Sequence, residues 1–175
     1  HDQEKFYFEE TLLMLMNWTN HFLEEWKYKL KQGLNPGEAF QKLTPIREQK
    51  YISEEHQVQG FIDAIQKIED EVHIIDYKTN ARFQIKDSIR LQLAIYSLLY
   101  QEKHGVLPSK VGIFFLRNKL KLMKVDPELV ELAKKEISLV HQGTGSENIE
   151  DYPCKTSPLC KWSSGQCDFY NNCKK

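Results

Sequence analysis

The first half of the chain changes from a helical spacing of apolar residues to a strand-like alternation. Between about residues 6 and 30, apolar side chains recur every three or four positions, which predicts an amphipathic helix. A glycine- and proline-rich stretch at residues 33–37 then interrupts the pattern. Three apolar runs follow, separated by short polar turns, at residues 46–52, 58–68 and 72–77. Strands joined by such short turns predict an antiparallel meander.

The second half predicts a buried helix, a hairpin and a final helix. Residues 88–100 are apolar on almost every side of a helix, which is typical of a helix packed against a sheet. Two short runs, 111–116 and 120–125, indicate a hairpin, and Asp126 followed by Pro127 is a helix start signal. The predicted order is α-β-β-β-α-β-β-α, an α/β fold with a mixed sheet flanked by helices.

Length and composition are those of an ordinary globular protein. The chain has 175 residues, of which 41% are hydrophobic and 28% are charged, enough to bury a substantial core. No apolar run approaches the length of a membrane span, and the first residues lack the apolar stretch of a signal peptide. We therefore expect a cytoplasmic, intracellular protein without a membrane partner.

Charge argues against a broad basic surface but allows a local one. The net charge is −1, unlike that of a protein that coats nucleic acid through a large basic face. Basic residues nevertheless cluster in a stretch without acids, at Arg117, Lys119, Lys121 and Lys124. A second group surrounds the C-terminal cysteines, at Lys155, Lys161, Lys174 and Lys175. Each group is either a solvated face or a set of phosphate contacts.

The candidate chemistry lies in the second and third predicted strands. Asp76 and Lys78 are two positions apart, so their side chains share one face of the strand. A hairpin centred near residue 70 places Asp63 almost opposite Asp76, and such cross-strand neighbours have Cβ atoms about 5 Å apart. Two carboxylates this close repel unless a cation separates them. The arrangement predicts a site for Mg²⁺ or Mn²⁺, beside which the Lys78 ammonium can hold a water or offset charge on a reacting phosphate.

A non-functional alternative is that Asp76 and Lys78 form the exposed end of a strand and Asp63 is a surface residue. The flanking residues argue against this alternative, because Asp63 lies within an apolar run and Asp76 follows two isoleucines. A charged residue within such runs is costly to bury unless it is paired.

These residues carry a resemblance to a known family. The segments GFIDAI and HIIDYKT resemble those of the PD-(D/E)XK nuclease superfamily, in particular its RecB-type branch, which includes nucleases of bacterial recombination, CRISPR adaptation and phages. That branch has a glutamate on the first strand, then G-x-x-D, D-x-K and Q-x-x-x-Y. The matching residues are Glu48, Gly60 with Asp63, Asp76 with Lys78, and Gln92 with Tyr96. The close resemblance covers about residues 46–100.

The resemblance implies a restriction-endonuclease-like core and a role for each matching residue. Asp63 and Asp76 resemble the metal ligands, with the backbone carbonyl of Tyr77 as a third, and Lys78 resembles the catalytic lysine. Glu48 resembles an auxiliary carboxylate that acts on a second metal or through water. Gln92 and Tyr96, four positions apart on one helical face, would point toward the site and steady Lys78 or the DNA backbone, or else simply pack in the core.

The resemblance also implies the class of reaction. A Mg²⁺- or Mn²⁺-dependent deoxyribonuclease is expected, more often an exonuclease acting at single-stranded or duplex DNA ends than an endonuclease, in recombination, repair or phage DNA metabolism. A helicase or another recombination subunit is a possible partner. The alternatives are a non-catalytic nucleic-acid-binding module and, ranked lower, a metalloregulator or electron carrier built on the cysteines. The family's usual histidine on an N-terminal helix has no clear match, since His1 lies at the chain edge and His21 resembles a helix-surface residue.

The four cysteines all lie near the C-terminus, with the spacing C-x5-C-x6-C-x5-C. They are Cys154, Cys160, Cys167 and Cys173. The spacing is not that of a standard zinc finger, whereas the tail resembles the iron–sulfur segment of RecB-type nucleases. A 4Fe–4S cluster is the first interpretation, zinc the second, and disulfides or free thiols the third. A Gly-Thr-Gly joint suggests two parts, a nuclease domain (1–145) and a cysteine-rich metal-binding tail (146–175).

Overall fold

The computed structural model of the protein describes residues 2–80, 82–171 and 173. Its backbone clusters into two compact units, His1–Ser138 and Leu139–Lys175. The domain boundary between residues 145 and 146 remains a prediction. His1, Lys174 and Lys175, named above, lie outside the described residues.

The first unit alternates helices and strands. In chain order the elements are α1 (Asp2–Lys31), α2 (Pro36–Leu43), β1 (Ile46–Ser53), β2 (Val58–Ile68), β3 (Glu71–Lys78), α3 (Asp87–His104), β4 (Lys110–Phe115), β5 (Leu120–Lys124) and α4 (Pro127–Thr144). The segment after α4 contains two 3-10 turns, Ile149–Asp151 and Pro158–Cys160, and the short strands β6 (Lys161–Trp162) and β7 (Gly165–Gln166). No helix of the described residues is long and apolar enough to span a bilayer.

The five long strands form one mixed sheet in the order β1-β2-β3-β4-β5. The first three strands and the β4–β5 pair are antiparallel, whereas β3 and β4 run parallel. A parallel pair needs a crossover, and α3 supplies it. The predicted meander, buried helix and hairpin are therefore confirmed, as is the mixed α/β fold class.

One helix was missed in the predicted order. The glycine- and proline-rich stretch that ends α1 also begins α2. The Asn35 side chain accepts a hydrogen bond from the backbone N–H of Glu38, and the Glu38 carboxylate accepts one from the backbone N–H of Asn35. This capping box, with Pro36 in the first turn, compensates the unpaired N–H groups of the new helix. Gly33, at a φ of 91°, lets the chain turn between the two helices.

Two clusters of apolar residues lie on opposite faces of the sheet. The larger cluster joins the sheet to α3 and includes Ile62, Ile74 and Ile113 with Leu93 and Leu98. The smaller cluster is built on Ala64, Ile75 and Phe114. Helix α1 contacts this second face through the His21 ring, whose centroid is 5.1 Å from that of Phe114. The α3 face is therefore the better-buried side, and it is the side that carries the candidate site.

Candidate active site

Strands β2 and β3 separate where the two aspartates lie. Their pairing reaches Ala64 opposite Ile75, and one further step of the same register would set Asp63 against Asp76. In place of a ladder bond, the backbone N–H of Tyr77 donates to Asp63 Oδ2 at 3.0 Å. This bond holds the half-buried Asp63 side chain across the opening between the strands, next to the end of β3.

Asp76 is buried although it is ionisable. Its side chain is only 3% exposed, and its Oδ1 accepts a hydrogen bond from Gln92 Nε2 at 2.8 Å. Its Oδ2 lies 2.8 Å from the Lys78 ammonium, but no hydrogen bond of good geometry reaches this oxygen among the described residues. A carboxylate oxygen whose single partner is this ammonium still has a lone pair to offer, which suits a cation.

The surroundings of Asp76 make its carboxyl harder to ionise than an ordinary one when no metal is present. Burial raises the pKa of this carboxyl above its ordinary value, and the negative charge of Asp63 raises it further. Lys78 and Gln92 act in the opposite direction without cancelling the effect of burial. A divalent cation between the aspartates would replace the missing solvation and offset their repulsion. The residues present therefore fit a hard metal ion.

Helix α3 reaches the site through Gln92. The Gln92 amide donates both to Asp76 and to the Tyr96 hydroxyl, the latter at 2.9 Å. Burial raises the pKa of Tyr96, and the charges of Asp76 and Asp63 raise it further, so the hydroxyl keeps its proton. The two residues of the Q-x-x-x-Y pattern thus lie together at the aspartates, and the contact of Gln92 is with Asp76 rather than with Lys78.

Gly60 allows β2 to approach α3 closely. A Cβ at this position would lie 3.2 Å from Leu99 Cδ1 and 3.6 Å from the Tyr96 ring, so even alanine would require the Leu99 side chain to shift by a few tenths of an ångström. Close packing of α3 on the strand that carries Asp63 therefore explains a glycine at this position of the G-x-x-D pattern.

Glu48 lies on β1 in the same row of the sheet as Asp63, but its side chain makes no contact with the described residues of the site. Arg47 pairs with Ala64 and Gln49 with Ile62, so Glu48 falls opposite Asp63 without pairing. Its φ of 50° marks a local irregularity of β1, and its side chain is exposed. Within the described part of the chain, no hydrogen bond or ion pair of the Glu48 side chain is found. Its role as an auxiliary carboxylate stays a prediction.

Histidine plays no visible part at the aspartates among the described residues. His21 packs its ring on Phe114, on the sheet face opposite Asp76. His1 lies outside the described residues.

A cleft in the first unit is separate from the carboxylates. It has a volume of about 680 Å³ and lies among α1, α2 and the end of β3. Its lining includes Trp18, Phe22, Phe40 and Tyr77 and contains no acidic residue. Tyr77 alternates with Asp76 and Lys78 along β3, so the cleft opens on the other sheet face. An apolar cleft without acidic residues offers a divalent cation no carboxylate ligands, so the cleft is not a candidate metal site.

A second group of metal-ligating side chains was not predicted from the sequence. Glu55, His56 and Glu102 bring one ligand atom each to within 4.8 Å of one another, the only such triplet among the described residues. The group joins the β1–β2 turn to the last turn of α3, and its members are too far apart in sequence to form a motif. The Lys134 ammonium, which hydrogen-bonds to Glu131, also adds a positive charge near Glu55 and Glu102.

The cysteines of the second unit gather loosely. None of the four forms a disulfide. A hydrogen bond with Cys154 and then burial raise the pKa of Cys173, with a contribution from Cys160, so these three thiols are neighbours. No three cysteine sulfurs of the described residues lie within 4.8 Å of one another, whereas a zinc ion with Zn–S bonds of about 2.3 Å needs sulfurs about 3.8 Å apart. Cys160 and Cys173 line a hollow of about 540 Å³.

Comparisons with known proteins agree on one kind of enzyme. The family model of the PD-(D/E)XK nuclease superfamily matches residues 6–174. A curated relative, the CRISPR-associated exonuclease Cas4 of Francisella tularensis subsp. novicida (strain U112), is 28% identical over 123 residues. The match covers 69% of this chain and 58% of the relative, so the chain corresponds to little more than half of that protein's length.

Proposed function

The chain belongs to the PD-(D/E)XK nuclease superfamily, and from this premise we propose that it is a Mg²⁺- or Mn²⁺-dependent deoxyribonuclease that cleaves DNA from its ends. The observation that carries the proposal is the buried Asp76 carboxylate, whose Oδ2 has the Lys78 ammonium beside it and no hydrogen bond of good geometry among the described residues. Asp63 faces the same opening through its bond to the Tyr77 N–H.

Four groups of this chain are proposed to hold the metal. Asp63 and Asp76 would each give a carboxylate oxygen, and Glu48 would act through water or on a second ion. The backbone carbonyl of Tyr77 is the remaining ligand, because the N–H and C=O of one strand residue point to the same side and the N–H already points at Asp63. When bound, a divalent ion polarises a phosphoryl oxygen and lowers the pKa of a coordinated water.

The other residues of the site position these groups. Gln92 occupies Oδ1 of Asp76 and so leaves Oδ2, beside the Lys78 ammonium, as the oxygen for the metal. The Lys78 ammonium holds the attacking water or offsets the negative charge that develops on the phosphate oxygens. Tyr96, which accepts from Gln92 through its hydroxyl oxygen, keeps its own proton for donation to a neighbouring acceptor such as a DNA phosphate.

Action at DNA ends is proposed from likeness alone. The RecB-type motifs and the name of the Cas4 relative, an exonuclease, both favour it. On the same basis we propose a role in recombination, repair or phage DNA metabolism, with a helicase or another recombination subunit as partner, in the cytoplasm.

For the second unit we propose a thiolate-bound metal centre, with a 4Fe–4S cluster preferred to zinc. Four thiols in a short segment are a suitable donor set. The hollow beside Cys160 and Cys173 leaves room for a group larger than a single ion. On this proposal residues 1–145 form the nuclease domain and residues 146–175 the metal-binding tail.

A variant series tests the catalytic proposal. Asp63→Ala, Asp76→Ala and Lys78→Ala should each lower the rate of cleavage of end-labelled DNA by at least about a thousandfold, since the set acts as a unit. Asp70→Ala and Lys67→Ala are matched controls, because both residues are exposed near the same β2–β3 turn. Circular dichroism checks that each variant is folded. Full activity in any of the three site variants would refute the assignment, and DNA binding by a wild-type protein that cleaves nothing would favour a non-catalytic binding module.

A further inference from the structure

The hairpin of β4 and β5 carries two lysines on the sheet face of the aspartates. Lys121 pairs with Ile113, and Ile113 pairs with Asp76, so these three residues form one row across three strands. Directly opposed residues of a sheet share a face. Strands lie about 4.8 Å apart, which puts the backbone of Lys121 about 10 Å from that of Asp76.

The next row of the sheet repeats the arrangement with Lys119. Lys78 pairs with Phe115, and the backbone N–H of Phe115 donates to the carbonyl of Lys119, just before β5. The two rows are therefore parallel. Each runs from a residue of the D-x-K pair, across an apolar residue of β4, to a lysine of the hairpin.

The Phe83 ring lies near both ammonium groups. Its ring packs on Phe115, with the centroids 5.0 Å apart, and it follows β3 in the loop that leads to α3. Lys119 Nζ lies 5.6 Å and Lys121 Nζ 5.5 Å from the centroid of the Phe83 ring. Each ammonium gains a cation–π contact with the ring. We call Phe83, Lys119 and Lys121 the two-lysine site.

The charge of the two-lysine site is uncompensated within the described part of the protein. No carboxylate is found paired with Lys119 or Lys121 there, and residues 116–125 contain no acid. Two positive charges near one ring repel each other, and a bound anion would offset that repulsion. The other cations of the stretch are used or directed elsewhere, since Arg117 is ion-paired with Glu10 and Lys124 lies on the opposite face of β5.

We propose that the two-lysine site binds a backbone phosphate of the substrate strand next to the phosphate that is cleaved. The inference rests on the proposed function, because it takes the position of the scissile phosphate from Asp76 and Lys78. Of the four basic residues in the stretch without acids, the inference selects Lys119 and Lys121, which lie on the sheet face of the aspartates, as the phosphate-binding residues. The Phe83 ring helps to position the two lysines. Their contact with a phosphate would not depend on the DNA sequence, because the backbone is the same at every nucleotide.

The test compares binding and turnover of charge variants. The double variant Lys119→Gln/Lys121→Gln is set against Lys124→Gln, which removes one charge from the same strand on the opposite face. Binding of a fluorescein-labelled single-stranded oligonucleotide is measured by anisotropy in chelator, from about 50 to 200 mM salt. In the double variant the slope of log affinity against log salt should become shallower by about 0.7 for each phosphate that the protein no longer neutralises.

The turnover arm separates binding from chemistry. In the double variant the KM for DNA should rise about tenfold or more, while kcat at saturating DNA stays within about twofold of wild type. Lys124→Gln should resemble wild type in both assays. An unchanged slope and KM in the double variant, or an equal effect in Lys124→Gln, would overturn the inference and leave the nuclease proposal intact. A shallower slope in the double variant of a protein that cleaves nothing would support phosphate binding and refute the catalytic proposal.

Discussion

Asp76 in the first unit and Cys154 in the second are both candidate metal ligands, yet their surroundings differ. Asp76 is 3% exposed and is held by Gln92 and Lys78 between a strand and a helix. Cys154 is exposed, and large apolar side chains of its unit remain in solvent, with Leu159 85% and Phe169 66% exposed. Protein packing alone therefore orders the first site, whereas the second lacks a core to do so.

The difference indicates what a metal would contribute in each place. At the aspartates the scaffold is complete without metal, so the ion would complete the chemistry and not the fold. In the tail, ligation would itself supply the folding energy, because few buried side chains oppose the entropy of the free segment. Three changes test this contrast, in order of decreasing expected effect.

The largest effect is expected in the tail. Cys173→Ala should remove the metal centre, since binding energies at structural thiolate sites reach roughly 10 kcal/mol or more and the tail has no comparable core. Elemental analysis should show a decrease in iron or zinc, the visible absorbance of a cluster should disappear, and limited proteolysis should cut within residues 146–171. Ser164→Ala serves as a control that keeps all four thiols.

The same experiment can also contradict the proposed difference between the two units. Fresh wild-type protein with neither iron nor zinc, and a tail that still resists protease, would remove the metal centre and favour disulfides. Unfolding of the first unit in Cys173→Ala would show that the two regions do not differ in the proposed way.

A smaller effect is expected from Gln92→Leu in the first unit. The substitution removes the donor to Asp76 Oδ1 and leaves a buried carboxylate with less support. Removing such a supporting hydrogen bond typically costs about 10- to 100-fold in metal affinity or activity. A Mn²⁺ titration of the cleavage rate measures the change. Gln84→Leu, an exposed residue of the preceding loop, is the control, and an unchanged Mn²⁺ dependence in Gln92→Leu would show that Asp76 needs no such support.

The smallest effect concerns the stability of the metal-free protein. The raised pKa of Asp76 means that the native state holds its proton to a higher pH than the unfolded chain does. Over the interval between the ordinary and the raised pKa, the free energy of unfolding therefore falls as pH rises. Asp76→Asn removes this titration, so in chelator it should be more stable than wild type at neutral pH.

The stability difference should shrink at a pH below the ordinary carboxyl value, where Asp76 is neutral in both states. Urea denaturation at several pH values gives the comparison. Added Mg²⁺ should stabilise wild type and leave Asp76→Asn unchanged. A variant that is less stable than wild type in chelator at neutral pH would show that the Lys78 ion pair outweighs the cost of burial.

Local sequence patterns predicted the strands of the site but not every helix of the fold. The strands around Asp63 and Asp76 were predictable because apolar alternation and a short turn define a hairpin, and its register then brings the two residues together. Helix α2 was missed because its start lies among residues that also break helices, where the Asn35 and Glu38 capping pair and Pro36 are the signals of a new helix.

Interactions that depend on tertiary packing were beyond the sequence. A helical face holds both Gln92 and Tyr96, but only the rotation of α3 on the sheet decides that Gln92 bonds to Asp76 and not to Lys78. Alternation along β5 places Lys119 and Lys121 on one face, whereas the Phe83 ring that joins them comes from a distant loop. Such long-range interactions leave no local pattern.

The most direct test of the central claim is cleavage by the wild-type protein on linear DNA labelled at one end and on covalently closed circular duplex. With Mg²⁺ or Mn²⁺ we expect the label to be released from linear single-stranded or duplex DNA while the circle persists, and with chelator we expect no cleavage. Rapid nicking of the circle would replace the exonuclease with an endonuclease. Cleavage that persists in chelator, or no cleavage with either metal, would contradict a metal-dependent site at Asp63 and Asp76.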